Sequence, residues 1–398
     1  MKRVMVTGIG VVTPLGNSLD ALADGLLAGR SGAGPITLFE PARLATRIAA
    51  QVDTAGLPEH PDRKWSFALA ASEQAMAGQT LDPSLGGLSL GIGLDLFSMP
   101  DLVQYLHHHG LPPGADPQTF LQTPSELCIE AISRRFNLSY PPQTHISACA
   151  ASTDAIGTAF WTIRRGQRRW MLAGGSDSMI NPMGVAGFCK IRATTTRNER
   201  PEQASRPFDR GRDGFLLGEG AAVLLLEEQA SAQARGATCY GEVLGFGNSF
   251  DAHGISEPHP RGLGAVLAMR RALANAAVRP EQIAYVNAHG TSTPKNDPIE
   301  TLALRAVFGA HAERLWVSST KSMLGHLISA SGAVEVAATL ACARRGLVHP
   351  TINLEQPDPA CDLDYIPEGP RPLPAAGLML KNSFAFGGQN ACLVLGQG

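Results

Sequence analysis

Charge is scarce in this chain. Only 17% of its 398 residues are Asp, Glu, Lys or Arg, and the formal net charge is −2. A chain so lightly charged lacks the basic excess that a general nucleic-acid binder needs to neutralise phosphates. Set beside 44% hydrophobic residues, low charge reads as extensive burial rather than disorder. No run approaches the roughly 20 apolar residues of a membrane-spanning helix. The opening Met1-Lys2-Arg3-Val4-Met5-Val6 reads as a strand and lacks the apolar stretch and small-residue cleavage site of a signal peptide. Of seven cysteines, none falls in a C-x-x-C pair and the count is odd. A disulfide framework is therefore not expected, nor a metal site, and a reducing cytoplasm is.

Glycine, by contrast, is abundant at 43 residues, which suggests many tight turns and close backbone contacts. The sequence also repeats itself once, with drift. Val4-Met5-Val6-Thr7-Gly8-Ile9-Gly10 resembles Glu242-Val243-Leu244-Gly245-Phe246-Gly247. His145-Ile146-Ser147-Ala148-Cys149 has a counterpart in Trp316-Val317-Ser318-Ser319-Thr320-Lys321. Gly220 to Leu226 matches Gln389 to Leu395, last in each half. Apolar runs of strand length (Trp170–Gly175, Ala284–Ala288) alternate with helical periodicity over Leu263–Ala276 and Ile299–Phe308. Continuous apolar strands joined by helices imply sheets covered on both faces. Two related α/β halves are expected, residues 1–235 and 236–398.

Four segments carry chemistry. Cys149 ends a strand-like approach and precedes a helix of small residues, where the helix dipole and unpaired N–H groups favour thiolate. Alone, it reads equally as nucleophile or buried structural thiol. His289, in Asn287-Ala288-His289-Gly290-Thr291-Ser292-Thr293, ends an apolar strand and by itself reads as a loop histidine. Lys321 and His326 stand five residues apart before a helix equivalent to the one after Cys149. Glu335 follows in small, apolar surroundings, where Lys321 and Glu335 must pair because isolated buried charges are costly. The Gly-rich stretch Asn382-Ser383-Phe384-Ala385-Phe386-Gly387-Gly388-Gln389-Asn390 reads as a loop able to bring backbone N–H groups close to a substrate oxygen.

Taken together, SACAAS, NAHGTST, KSMLGHLISASGAVE and FAFGGQN resemble the β-ketoacyl-acyl carrier protein synthases, in the Cys-His-His class that elongates acyl chains. The likeness extends to Arg206–Phe215 and to Val6–Gly16, and so spans most of the chain. It implies a thiolase-type fold, duplicated, with five layers αβαβα. It implies an acyltransferase that condenses an acyl group held on Cys149 with malonyl-carrier, and substrates carried on phosphopantetheine, with no cofactor of the enzyme's own. The resemblance assigns His289 and His326 to the developing enolate, Lys321 and Glu335 to support, Thr291 and Thr293 to the pantetheine arm, and the Cys149 and Phe386 N–H groups to the oxyanion. Phe386 also resembles a gating aromatic, and Ile92 and Phe188 match the acyl pocket. Carrier protein is the expected partner, together with a second synthase-like chain in a homodimer or heterodimer. Arg192 resembles a carrier-docking position; Arg63 and Lys64 are further basic candidates.

Rivals differ at defined positions. A degradative thiolase has a second catalytic cysteine near its C-terminus, whereas Cys392 lies in a strand beyond the Gly-rich loop. Initiating synthases read Cys-His-Asn, and chain-length factors lack the nucleophile. Residues 86–145 depart most from the family, at Leu90–Asp95 and Thr123–Glu130. His107-His108-His109, on a helix, point in different directions and suit a solvated or interface stretch better than a metal. Since this region shapes the tunnel and dimer interface, a specialised polyketide or polyene synthase is the alternative to fatty-acid elongation.

Overall fold

The structure, a computed structural model, describes residues 1–375 and 377–398, with Leu96 described by its backbone alone. The strands that frame the site are β1 (Val4–Val12), β2 (Leu88–Ile92), β3 (Gln143–His145), β4 (Trp170–Asp177), β5 (Gly220–Glu228), β6 (Gly241–Phe250), β7 (Ile283–Asn287), β8 (Trp316–Ser318), β9 (Leu378–Phe384) and β10 (Gln389–Gln397). Their hydrogen-bonded order is β8-β7-β9-β10-β6-β1-β5-β4-β2-β3. Outward from the central β1–β6 pair, the two directions have the same plan. Two antiparallel neighbours come first, then two parallel ones.

Helices α1 (Arg63–Met76), α2 (Ala151–Arg164), α3 (Leu263–Ala276), α4 (Asn296–Phe308) and α5 (Ser331–Ala343) supply the other layers. Three cores separate them. Phe67 and Ala71 of α1 pack on Leu90 and Val223, outside the first half. Met269 and Ala272 of α3 pack on Val286 and Val394, outside the second. Between the two halves of this sheet lie Ile156 and Phe160 of α2 with Val334 and Leu340 of α5. Every residue of α5 is buried, which explains why its sequence is apolar almost all round. The result is the duplicated five-layer αβαβα fold that the resemblance implied.

Matching glycines show why the halves share one packing. The ladder shifts register between Val6 and Gly8 in β1 and between Val243 and Gly245 in β6. A Cβ on Gly8 or Gly10 would stand 2.2 or 1.9 Å from the Ala75 or Ala71 carbonyl oxygen of α1. One on Gly245 or Gly247 would stand 2.5 or 2.4 Å from the Ala272 or Ala268 carbonyl of α3. Four-residue helix spacing meets two-residue strand spacing, and only glycine lets the helix lie this close.

One expected correspondence is displaced. In sheet register, Ser318 rather than Trp316 occupies the place of His145. The turns that start α2 and α5 align at Ala148 (φ 46°) and Ile328 (φ 44°), so Ser329, not Lys321, stands where Cys149 stands. Two residues separate β3 from its 3₁₀ turn, but nine separate β8 from the equivalent turn. That longer link carries Lys321 and His326. The Gly-rich loop is shorter than expected, because Asn382–Phe384 belong to β9 and Gln389–Asn390 to β10. In the divergent stretch, helices Met99–His108 and Glu126–Arg135 form, and His107, His108 and His109 are exposed.

Candidate active site

Cys149 sits between β3 and α2 in a turn whose preceding residue, Ala148, has a positive φ that alanine rarely adopts. The side chain is 4% exposed. Burial pushes its thiol up to about 11, against the downward pull of the Phe386 N–H and of the Lys321 ammonium. The expectation of a resting thiolate is therefore corrected. Dehydration of the sulfur outweighs the helix terminus and the cation, and the thiol is neutral near pH 7.

Both histidines converge on this sulfur. His326 Nε2 lies 3.1 Å from Cys149 Sγ, and one nitrogen of each imidazole lies within 4.8 Å of the other and of the sulfur. The rings meet edge to face, 5.4 Å between centroids. Hydrogen bonding fixes their tautomers. His326 Nδ1 accepts the Ile328 N–H at 3.1 Å, so its proton belongs on Nε2. His289 Nδ1 faces the Lys321 ammonium, a donor only, at 3.4 Å. Each neutral ring thus presents Nε2–H to the space above the sulfur. Burial, then Lys321 and further cations, hold both imidazoles well below the ordinary histidine value. Uncharged N–H donors can stabilise negative charge developing on a carbonyl oxygen without pairing beforehand with a carboxylate.

His289 is held from behind. Glu300 of α4 accepts the His289 and Gly290 backbone N–H groups, each at 2.8 Å. The expected Lys321–Glu335 ion pair is present and fully enclosed. A second lysine completes it: Lys381, at 0% exposure, places Nζ 2.7 Å from Glu335 Oε2. Neither Lys381 nor Glu300 was singled out from the sequence. The available signal was a lone lysine in the apolar run Leu378-Met379-Leu380-Lys381 and an acid in the first turns after NAHGTST.

A cavity of about 340 Å³ opens at Cys149 and is lined by Ile92, Met179, Phe188, Phe215 and Phe386 among others. On the other side of the sulfur a narrower space runs past His289, His326, Thr291 and Thr293. It continues to a mouth bordered by Thr293, Lys295, Ile191 and Arg192. Ile92, Phe188, Phe386 and both threonines are thus brought to the cleft, and Arg192 to its mouth. Lys64 is not: it is 2% exposed and paired with Asp62. Arg63 is bound to Glu219 and to the Val52 carbonyl. Lys64 is withdrawn as a docking residue, since an enclosed, paired cation cannot meet a partner's surface; Arg63 is only half-buried, but its guanidinium is held by Glu219 and it does not border the cleft mouth.

This constellation on a duplicated αβαβα fold defines a thiol-dependent condensing enzyme. Two family models match the chain: "Beta-ketoacyl synthase, N-terminal domain" over residues 1–232 and "Beta-ketoacyl synthase, C-terminal domain" over residues 240–355. The chain belongs to the β-ketoacyl synthase family. It is 40% identical to a 3-oxoacyl-[acyl-carrier-protein] synthase 2 of Synechocystis sp., covering 98% of this chain and 97% of the relative. It is 41% identical to a putative polyketide beta-ketoacyl synthase 1 of Streptomyces cyaneus, covering 99% and 98%. Among solved structures, a type II PKS acyl-carrier protein in complex with its ketosynthase aligns at TM-score 0.90 and 29% identity, covering 100% and 99%. The ishigamide ketosynthase/chain length factor aligns at 0.88 and 32%, with the same coverage.

Proposed function

We propose that this chain is a 3-oxoacyl-[acyl-carrier-protein] synthase of fatty acid biosynthesis, acting in the cytoplasm on carrier-bound substrates. Convergence of the Cys149 sulfur with two imidazole N–H donors is the observation that carries this reading. Cys149 sulfur attacks the acyl thioester; the carrier's thiol leaves with the proton, and a new thioester holds the acyl group. The Cys149 and Phe386 N–H groups face the sulfur and suit the oxyanion of that step. Malonyl-carrier then loses carbon dioxide, and His289 and His326 donate to the enolate oxygen. The enolate carbon attacks the acyl carbonyl, the C–S bond to Cys149 breaks, and the expelled thiolate, which carries the charge left by the malonyl carboxylate, takes one proton from solvent. The products are 3-oxoacyl-carrier two carbons longer, carbon dioxide and free carrier.

Lys321 and Glu335 organise the histidines, Thr291 and Thr293 receive the pantetheine arm, and Ile92 and Phe188 bound the acyl cavity. Acyl carrier protein docks at the mouth beside Arg192. The exposed apolar residues Leu94, Val103, Leu106 and Ile146 suit a face that a second synthase-like chain covers. The halves divide at residues 235 and 236, between β5 and β6. A second reading, a specialised polyketide or polyene ketosynthase, is supported by the Streptomyces relative and by the clustering of departures from the family between about residues 86 and 145.

The test is mass spectrometry of the chain after incubation with acyl-carrier and malonyl-carrier. Cys149→Ala is expected to take no acyl group and form no 3-oxo product; unchanged condensation would overturn the proposal. His289→Ala is expected to load the acyl group yet condense at least about 100-fold more slowly. Failure to load, with the fold intact, would remove His289 from the decarboxylation step.

A further inference from the structure

Two buried lysines share one buried carboxylate beside the site. Glu335 of α5 directs Oε1 to Lys321 and Oε2 to Lys381. One lysine would suffice to pair Glu335, and a second enclosed ammonium is costly unless something uses its charge or reach. Lys381 is tied further: Nζ donates to the Asn382 carbonyl and, at 3.0 Å, to Ser383 Oγ. Ser383 Oγ lies 2.8 Å from Thr153 Oγ1 on α2, the helix that follows Cys149. The lysine therefore bridges the strand before the Gly-rich turn, the Lys321–Glu335 pair and the nucleophile helix.

The charged and titratable groups around His289 define what this bridge can do. From the β8–α5 link come Lys321 and His326, from α5 Glu335, from β9 Lys381, and from the nucleophile turn Cys149. Behind the loop, α4 contributes Glu300 and Asp297; Asp297 faces Arg212 at 3.7 Å. Glu300 already accepts the His289 and Gly290 N–H groups and Asn382 Nδ2. Cys392 of β10 donates to Asn382, and His349 lies beyond, bonded to Thr320 and Tyr285. Among the described residues, only Lys321 touches His289 Nδ1, and Glu335 is the acid that holds Lys321.

We infer that Lys381 is a positioning residue for the condensation: by occupying the second oxygen of Glu335 it keeps Lys321 turned to His289 Nδ1, and so keeps the His289 proton on Nε2, facing the reacting carbonyl. This rests on the synthase reading above. Without Lys381, both Glu335 oxygens are free for Lys321, and the ammonium is drawn away from the imidazole. The added cation also opposes protonation of both rings, and Lys381 contributes to the downward shift of each. An imidazolium here would pair with the malonyl carboxylate and stabilise the ground state that decarboxylation must leave.

The test is a pH titration of the full chain carrying ¹⁵N-labelled histidine, read by NMR for the protonated nitrogen of each ring, alongside the pH profile of malonyl-carrier decarboxylation. In the native chain His289 is expected to remain an Nε2–H tautomer well below the ordinary midpoint of about 6.5. In Lys381→Met and Lys381→Gln, the His289 midpoint and the acid limb of decarboxylation are expected to rise together by about one pH unit. The rate should approach its native plateau at higher pH, and Lys381→Arg should restore the limb. A purely structural lysine would instead lower the rate equally at all pH. Unmoved midpoints and limb would overturn the inference. So would a native His289 that titrates near 6.5 or carries its proton on Nδ1, a result that decides the matter even should neither variant fold. A native chain that fails to condense would sink the synthase reading; condensation with an unmoved tautomer would sink only this one.

Discussion

At the scale of single residues, the site works by dehydration. Cys149 is enclosed, and its thiol is pushed up to about 11. The sign follows directly: an acid whose value is raised stays protonated below it, so thiolate appears only at high pH. Alkylation of Cys149 by iodoacetamide is therefore expected to accelerate with a midpoint near 11, rather than near the ordinary 8.5. A midpoint at 8.5 or below would show that the helix terminus prevails over burial. The sequence made Cys149, His289, Lys321, His326 and Glu335 legible because each interrupts an apolar or small-residue context. It could not separate a buried cation from a docking one. Lys64 and Arg192 look alike as letters, yet Lys64 is enclosed with Asp62 while Arg192 borders the cleft mouth. Lys381 escaped notice because the carboxylate it meets is distant in the chain and close only after folding.

Among elements, the central pair α2 and α5 determines how well the site is assembled, because one begins at the nucleophile and the other carries Glu335. They pack tightly at Gly332, where a Cβ would stand 2.1 Å from Thr153 Oγ1 and 3.0 Å from the Thr153 nitrogen. Gly332→Ala is expected to part the helices and destabilise the chain by about 1–3 kcal/mol, measurable by urea denaturation. Condensation should fall more than Cys149 alkylation, since the sulfur and the Lys321–Glu335 pair move apart. Native stability in this variant would mean that the helices are not in firm contact there. Strand and helix identities were readable from apolar runs and helical periodicity, and the likeness of the halves from matched runs that include Gly8, Gly10, Gly245 and Gly247. The correspondence of the two turns was not. The extra residues after β8 preserve the look of a strand entering a helix while displacing the match from Ser329 to Lys321.

For the molecule as a whole, the proposed docking of a carrier makes charge at the cleft mouth, where Arg192 stands, the feature to test. Acyl carrier proteins are acidic, and Arg192 stands beside the opening with a left-handed backbone, φ 55°. Arg192→Glu is expected to raise the KM for acyl-carrier about 10-fold, with a steeper salt dependence in the native chain than in the variant. The rate of transfer from a small pantetheine thioester should be little changed. Equal loss on both substrates would place Arg192 inside the reaction rather than on the docking face. The two-half plan was legible from three matched runs in the same order. Which surfaces a second chain covers was not, because exposure of Val103, Leu106 and Ile146 depends on how the divergent stretch folds.

The long link between β8 and α5 also has a consequence in time. During synthesis Cys149 emerges before any group that could use it: His289, Lys321, His326, Glu335, Lys381 and the Phe386 N–H all follow, in that order. A chain still leaving the ribosome holds a thiol but no acyltransferase, and acquires acyl-transfer activity only once β9 and the turn beyond it are in place.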